Sequence, residues 1–246
     1  MKSHWSLLLG VWLVAVGPVL GAGPTTQPVK LISRLDGRIN ECSGVVASRR
    51  YPGVFWVHGD SGNPPVLFAI DRQGKLLAQF PVRATNQDWE DIAIDETGHL
   101  YIGDIGNNGG KRKQLVVYRV DEPDPASAKA AQGQGATLKV TGTWRLDFPN
   151  GPFDCESLFV YKGFGYVISK LFTGLHAVVY RFPLEAEGKT SVLEKVATLP
   201  IRSPVTAADI SADGKRLAVL TVTGLNLFTI DGDISRAGKV QPVYIS

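Results

Sequence analysis

A fourfold internal repeat constrains the fold of this chain more than any other feature. Each unit is a run of four short stretches in which apolar and polar residues alternate, as they do in half-buried β-strands. The units begin with the sequences ECSGVVAS (residues 41–48), DWEDIAID (88–95), DCESLFVY (154–161) and TAADISAD (206–213). Helical periodicity is nearly absent. The pattern therefore predicts an all-β protein made of similar four-stranded units.

Four antiparallel strands per unit are typical of the blades of a β-propeller. Glycines in ETGH (96–99) and ADGK (212–215) lie where tight hairpins need a positive φ. A β-sandwich is the alternative, but a sandwich does not require units that resemble one another. We therefore predict a single propeller domain over residues 29–246, with four readable blades. Residues 121–136 lengthen the second unit and are interpreted as a polar surface insertion.

The strand count leaves one segment over. VKLISRL (29–35) predicts an extra strand before the first unit, although the last unit already has an outer strand in KVQPVYIS (239–246). Two arrangements account for it: a ring of four blades with a spare strand, or a chain that ends before the closing blade. We favour the second, in which the propeller is incomplete at the C-terminus.

The first 23 residues have the features of a secretory signal peptide. Lys2 precedes a short apolar run, and small residues follow at positions 21–23. Residues 24–28 then form a flexible lead-in. We expect an exported protein, periplasmic or extracellular, with no stable membrane insertion after signal cleavage. The formal net charge is only +3 and the basic residues are scattered, which argues against a nucleic-acid partner.

Polar residues recur where the first strand of each unit begins and where the second strand ends. In a propeller these two positions meet at one mouth of the central channel, so we expect an acid-rich mouth. Asp, Glu and Asn oxygens suit Ca²⁺ or Mg²⁺, and no organic cofactor is expected. The predicted metal ligands are Glu90, Asp104 and Glu156, and Glu90 and Glu156 are also the candidate catalytic residues. The candidate ligand-binding residues are Glu41, Asp60, Asp88, Asp91, Asn107, Asn108 and Lys170.

Two cysteines, Cys42 and Cys155, occupy equivalent places in the first and third units. In a ring with five or more blades their strands are not neighbours, and a disulfide needs Cα atoms within about 7 Å. We expect two unpaired thiols buried between blades, although a four-bladed ring would favour a disulfide more.

The motifs NECSGV, DWEDIAID with LYIGDIGNN, DCESLFVYKG with YVISK, and SPVTAADISADGKRLAVLT together resemble a family of exported bacterial six-bladed propellers. These are the phytase-like (esterase-like) propellers, distantly similar to the NHL and SMP-30 propellers. The resemblance implies one or two further blades. This chain departs from the pattern at Leu220, before Thr221, where relatives often carry a basic residue. That departure weakens any basic anion site built from the last unit.

Three functions remain open from the sequence. The first is a propeller that binds a small polar ligand at its acid-rich mouth together with a divalent cation. The second is a metal-assisted, phytase-like hydrolase of phosphoesters or esters that uses the same mouth, with Glu90 or Glu156 as general base. The third is a non-catalytic propeller that binds a protein partner.

Overall fold

The computed structural model describes residues 31–128 and 133–246 of the 246-residue chain. The predicted signal peptide (1–23) and lead-in (24–28) lie outside the described residues. Of the predicted extra strand, only residues 31–35 are described, and they have no regular structure. Within the described ranges, no helix is long and apolar enough to cross a bilayer.

The described chain folds into seventeen strands, and sixteen of them form four antiparallel sheets of four strands each. Blades 1 and 2 comprise β1 (Cys42–Ala47), β2 (Phe55–Gly59), β3 (Val66–Ile70), β4 (Leu76–Pro81), β5 (Trp89–Ile94), β6 (His99–Asp104), β7 (Gln114–Asp121) and β8 (Gly142–Asp147). Blades 3 and 4 comprise β9 (Asp154–Tyr161), β10 (Phe164–Lys170), β11 (Val178–Pro183), β13 (Glu194–Thr198), β14 (Val205–Ile210), β15 (Arg216–Thr221), β16 (Gly224–Thr229) and β17 (Val243–Ile245). The remaining strand, β12, is Thr190–Val192, and three short 3₁₀ turns are η1 (Pro125–Ser127), η2 (Leu184–Ala186) and η3 (Ile234–Gly238).

The four sheets are the blades of a β-propeller, which confirms the predicted fold class. The first strands of the blades, β1, β5, β9 and β14, pack side by side in that order. Apolar clusters fill the seams between blades 1 and 2, 2 and 3, and 3 and 4. Trp56, Trp89 and Trp144 are all fully buried in these clusters. Burial of such large side chains supplies much of the free energy that holds successive blades together.

The seam between blades 4 and 1 differs from the other three. A cavity of about 340 Å³ is lined there mostly by residues of β1, β14 and β15, together with Asp91 of β5 and Leu225 of β16. Val45 on blade 1 is 58% exposed and Leu220 on blade 4 is 43% exposed. These side chains occupy places that are buried at the filled seams. In the described part of the chain, three seams are therefore sealed by core packing and the fourth is not.

Each of blades 2, 3 and 4 reaches back across the outer strand of the blade before it. The segment 133–138 bonds to β4: Gln79 N–H donates to Gly133 O (2.7 Å), and Leu138 N–H donates to Pro81 O (2.7 Å). Strand β12 pairs in parallel with β8, and η3 lies against β13. The end of the predicted polar insertion is thus an inter-blade strap, and the outer strand of blade 2, β8, begins only at Gly142. The strap forms only a few isolated hydrogen bonds to β4, and a segment of this kind needs no alternation of apolar and polar residues.

We expect Gly135→Val to destabilise the protein. A Cβ at Gly135 would overlap the ring of Phe80, which is 1% exposed in the core of blade 1. Overpacking of this kind costs about 1–3 kcal/mol, measurable as a lower urea midpoint. Gly37→Ala is the matched control, since a Cβ there meets no atom within 4 Å. Equal midpoints for the two variants would contradict close packing of Gly135 against Phe80.

Both cysteines are free thiols. Cys155 is buried as expected, whereas Cys42 is exposed. The prediction of two buried thiols is therefore wrong for Cys42. Cys155 packs into the filled seam between blades 2 and 3, whereas Cys42 lies at the start of β1, on the side of the unfilled seam between blades 4 and 1.

Candidate functional site

A β-bulge interrupts the first strand of every blade near its start. On β5 the pairing runs from Trp89 opposite Asp104 to Asp91 opposite Gly103, which leaves Glu90 without a partner. Bulges of this kind re-aim side chains and are frequent beside active sites. The equivalent residues of the four blades are Ser43, Glu90, Glu156 and Thr206. The bulges thus bring one polar residue per blade to the same end of the channel.

The observed register also corrects the alignment of the fourth repeat. In the sequence, TAADISAD aligns with DWEDIAID so that Thr206 is level with Asp88. In the structure Val205 pairs with Thr221 and Ala207 with Leu220, so Thr206 is level with Glu90. Blade 4 therefore contributes a hydroxyl, and no acid, at the bulge.

Three carboxylates meet at this mouth. One oxygen from each of Asp60, Asp88 and Glu90 lies within 4.8 Å of the other two. Asp60 follows β2 of blade 1, and Asp88 and Glu90 stand at the start of β5 of blade 2. Glu90 is only 3% exposed, and Ser43 Oγ donates to its Oε2 at 3.3 Å. This group, which we call the acid triad, spans the seam between the first two blades.

Asn86 connects the two segments that form the acid triad. Its Nδ2 donates to Asp60 O at 2.9 Å, and its Oδ1 accepts from Trp89 N–H at 3.0 Å. One side chain therefore holds the loop after β2 against the start of β5. Asp60 N–H also donates to Glu41 O at 2.9 Å, which continues the pairing of β1 and β2 into the loop.

Gly106 makes room for the acid triad. A Cβ at this position would overlap Asp88 Oδ2 and Glu90 Oε1, so both carboxylates lie directly over its backbone. Gly106 N–H also donates to Asp88 O at 3.1 Å. Sequence reasoning did not single out this residue. The feature that could have indicated it is the glycine itself in GDIGNN, because a glycine in a strand often marks a place where another group approaches the backbone closely.

The acid triad favours bound protons when no cation is present. Burial, and then the neighbouring carboxylates of Glu156, Asp60, Asp88 and Asp154, raise the pKa of Glu90 to about 9. Burial also raises the pKa of Asp88. Carboxylates that share a site repel one another unless a proton or a cation compensates them. Near neutral pH Glu90 is therefore protonated in the cation-free protein.

A second acidic pair lies beside the acid triad on blade 3. Lys170 Nζ contacts Glu156 Oε1 directly and lies 3.8 Å from Asp154 Oδ2. Asp154 Oδ1 accepts from Asn107 N–H at 2.8 Å and from Cys155 N–H at 3.0 Å. Burial raises the pKa of Glu156, while the contact with Lys170 opposes that rise. The predicted ligand-binding residue Lys170 thus lies at the mouth, where it neutralises part of the acidic charge.

Asp104 has protein partners of its own. Its Oδ1 accepts hydrogen bonds from Arg112 Nη1 at 2.8 Å and from Asp88 N–H at 3.1 Å. Its Oδ2 accepts one from Gln87 N–H at 3.3 Å. Arg112, a residue that the sequence analysis did not identify, lies in the basic run KRK, which shows no pattern that points to Asp104. Of the predicted metal ligands Glu90, Asp104 and Glu156, the structure thus places only Glu90 in the acid triad.

The other predicted ligand-binding residues divide into two groups. Asp91 is 4% exposed and its Oδ2 accepts from Leu158 N–H at 2.8 Å, so it ties β5 to β9. Asn107 is 4% exposed and its Nδ2 donates to Phe153 O at 3.2 Å. Glu41 and Asn108 are exposed at the mouth, and Glu41 accepts from Asn63 Nδ2 at 3.0 Å. Asp91 and Asn107 therefore stabilise the blades, whereas Glu41 and Asn108 are accessible.

No protein-family model matches this chain, and no curated protein matches it. Among solved structures, the chain is similar to the β-propeller domain of Myceliophteria thermophila Cps50 (Swd1), with 10% identity, a TM-score of 0.41, and coverage of 77% of this chain and 54% of that one. It is also similar to Kuenenia stuttgartiensis hydrazine synthase, with 13% identity, a TM-score of 0.42, and coverage of 78% and 47%. The chain thus spans about half the length of these proteins. The assignment as a propeller comes from the order and packing of its own sheets.

Proposed function

We propose that this chain is an exported β-propeller that binds a divalent cation at the acid triad, preferably Ca²⁺. A small polar ligand binds next to the cation. The observation that carries the proposal is the approach of Asp60, Asp88 and Glu90 oxygens to within 4.8 Å of one another. Hard cations prefer such carboxylate oxygens. In this proposal Asp60 and Asp88 take the places of Asp104 and Glu156 as metal ligands.

The choice of Ca²⁺ over Mg²⁺ follows from the origin of the ligands. Asp60 belongs to one blade and Asp88 and Glu90 to the next, so their arrangement is irregular. Ca²⁺ accepts six to eight oxygens in flexible geometry, whereas Mg²⁺ requires a near-ideal octahedron. Three carboxylates leave coordination positions for a ligand, and the Lys170 ammonium nearby suits a ligand with a negatively charged group.

Calcium titration tests this proposal. At a free concentration of about one hundred times Kd, binding to the folded state adds roughly 2.7 kcal/mol. For a domain of this size we expect a rise in Tm of about 5–10 °C, reversed by excess EDTA. Because the cation displaces the proton of Glu90, we expect the affinity of the protein for Ca²⁺ to rise by about tenfold per pH unit between pH 6 and 8. A Tm that responds to neither Ca²⁺ nor EDTA would favour the non-catalytic, protein-binding propeller.

Hydrolysis of phosphoesters or esters is the second candidate. The observation in its favour is a pair of carboxyl groups, Glu90 and Glu156, at equivalent bulges with different surroundings. With Ca²⁺ at the acid triad Glu90 is a metal ligand and holds no proton, so Glu156, which contacts Lys170, is the candidate general base. We expect Glu156→Gln to abolish turnover of a phosphomonoester or ester panel with Ca²⁺ present. An inert wild type that binds Ca²⁺ would leave only the binding function.

A further inference from the structure

A cavity lies at the end of the channel opposite the acid triad. The hairpin turns between the first and second strands of all four blades contribute to it, and its volume is about 220 Å³. Ile94, Val160 and Ile210, all buried, form an apolar floor. The charged residues in the lining are Arg49, Asp95, Glu96 and Lys162. An apolar floor with a few convergent polar groups is the usual character of a small-molecule site.

The acid closest to the floor is already engaged by the protein. Asp95 Oδ1 accepts from Thr97 N–H (2.9 Å), Thr97 Oγ1 (2.7 Å) and His99 N–H (3.0 Å), and its Oδ2 accepts from Tyr101 Oη (3.0 Å). These bonds close the turn between β5 and β6. Asp95 therefore has little capacity left to bind a ligand cation.

The cations of the lining have fewer partners. Within the described residues Arg49 forms no ion pair; burial raises the pKa of Asp209, and the charge of Arg49 opposes part of that rise. Lys162 Nζ makes one long contact, 3.4 Å, to Gly232 O, and lies 5.0 Å from the centre of the Tyr161 ring. One guanidinium and one ammonium are thus available at the rim. Glu96, which is exposed, is the one acid of the rim without a partner in the described residues.

We propose that this cavity binds a small amphipathic monocarboxylate. Its apolar body lies on Ile94, Val160 and Ile210, and its carboxylate contacts Arg49 and Lys162. The volume is below the range of about 300–1,000 Å³ for drug-sized ligands, which suits a single aromatic ring or a short aliphatic chain. Glu96 disfavours a second negative charge, so dicarboxylates and phosphate esters bind more weakly.

Titration with a matched pair of probes tests the proposal. Wild-type protein is titrated with 4-phenylbutyrate and with 4-phenylbutylamine, which share an apolar body and carry opposite charges. We expect the carboxylate to bind and the amine not to bind. Arg49→Gln and Lys162→Gln should each weaken carboxylate binding by about tenfold, the effect of one charge-assisted hydrogen bond. Glu96→Gln should strengthen it, and Arg202→Gln, on a loop outside the cavity, should change nothing.

An amine that binds as tightly as the carboxylate would overturn this assignment, and so would carboxylate binding that is absent or insensitive to both Arg49→Gln and Lys162→Gln. Backbone amide NMR shifts at Ile94, Val160 and Ile210 report the location directly. Because the readout is at the opposite mouth from the acid triad and needs no Ca²⁺, it is independent of the proposed function. Shifts confined to the acid triad would likewise contradict the proposal.

Discussion

Glu90→Gln is expected to raise the stability of the cation-free protein at alkaline pH and to abolish Ca²⁺ binding. Burial and four neighbouring acids raise the pKa of Glu90 from 4.5 to about 9. Between those two pH values the folded protein holds a proton that the unfolded chain has lost, so stability falls as pH rises through this window. Glutamine keeps the shape and cannot ionise. Each pKa unit is worth about 1.4 kcal/mol, so the full shift corresponds to about 6 kcal/mol. Water at the mouth screens the neighbouring charges, and we therefore expect a smaller gain of roughly 2–4 kcal/mol at pH 9.

The measurement is urea unfolding in EDTA from pH 5 to 9. We expect the wild type and Glu90→Gln to differ little at pH 5 and to diverge steadily above it. Calcium titration of the same variant should show at least a hundredfold loss of affinity, because one of three carboxylate ligands is gone. Glu185→Gln, at an exposed acid of η2, is the matched control. If the free energies of unfolding of the wild type and Glu90→Gln differ by the same amount over the whole pH range, then Glu90 is not protonated in the folded protein.

Trp56→Ala is expected to lower the free energy of unfolding by about 3–5 kcal/mol, the usual effect of removing a buried tryptophan. Trp56 is fully buried between blades 1 and 2 and packs edge-on to Phe80, with ring centroids 5.9 Å apart. Its Nε1 donates to Glu122 Oε1 at 2.7 Å. Glu122 is itself 4% exposed, and among the described residues its Oε2 has only Arg50 Nε nearby, at 3.9 Å. The truncation therefore leaves both a cavity and a buried carboxylate without its donor.

A double-mutant cycle separates these two contributions. Trp56→Phe keeps most of the apolar volume but removes the donor, and should cost about 1–3 kcal/mol for the unpaired carboxylate. Adding Glu122→Met removes the acceptor as well, so the pair should cost less than the two single changes together. Urea unfolding of the four proteins gives the coupling energy. Strict additivity would show that the bond between Trp56 and Glu122 contributes nothing to stability.

The sequence predicted the elements of this fold closely. DWEDIAID and LYIGDI become β5 and β6, joined at the ETGH turn, and the unit that begins at DCESLFVY becomes blade 3. These elements depend on alternation and turn residues, which are local properties. The strap at Gly135 and the short strand β12 were missed because each makes few bonds and carries no alternation. Their positions depend on the blade before them, which lies far away in the chain.

By itself, the sequence determined the all-β repeat, the blade count of the readable chain and the existence of an acid-rich mouth. Only the tertiary structure decided which acids act together. Asp60 joins Asp88 and Glu90 because a bulge and Asn86 bring two blades into contact, while Asp104 pairs with Arg112. The physical reason is the distance along the chain over which each kind of interaction is determined. Strand formation follows from neighbours in the chain, whereas ligand geometry and protonation depend on separations of a few ångströms between groups that only packing brings together.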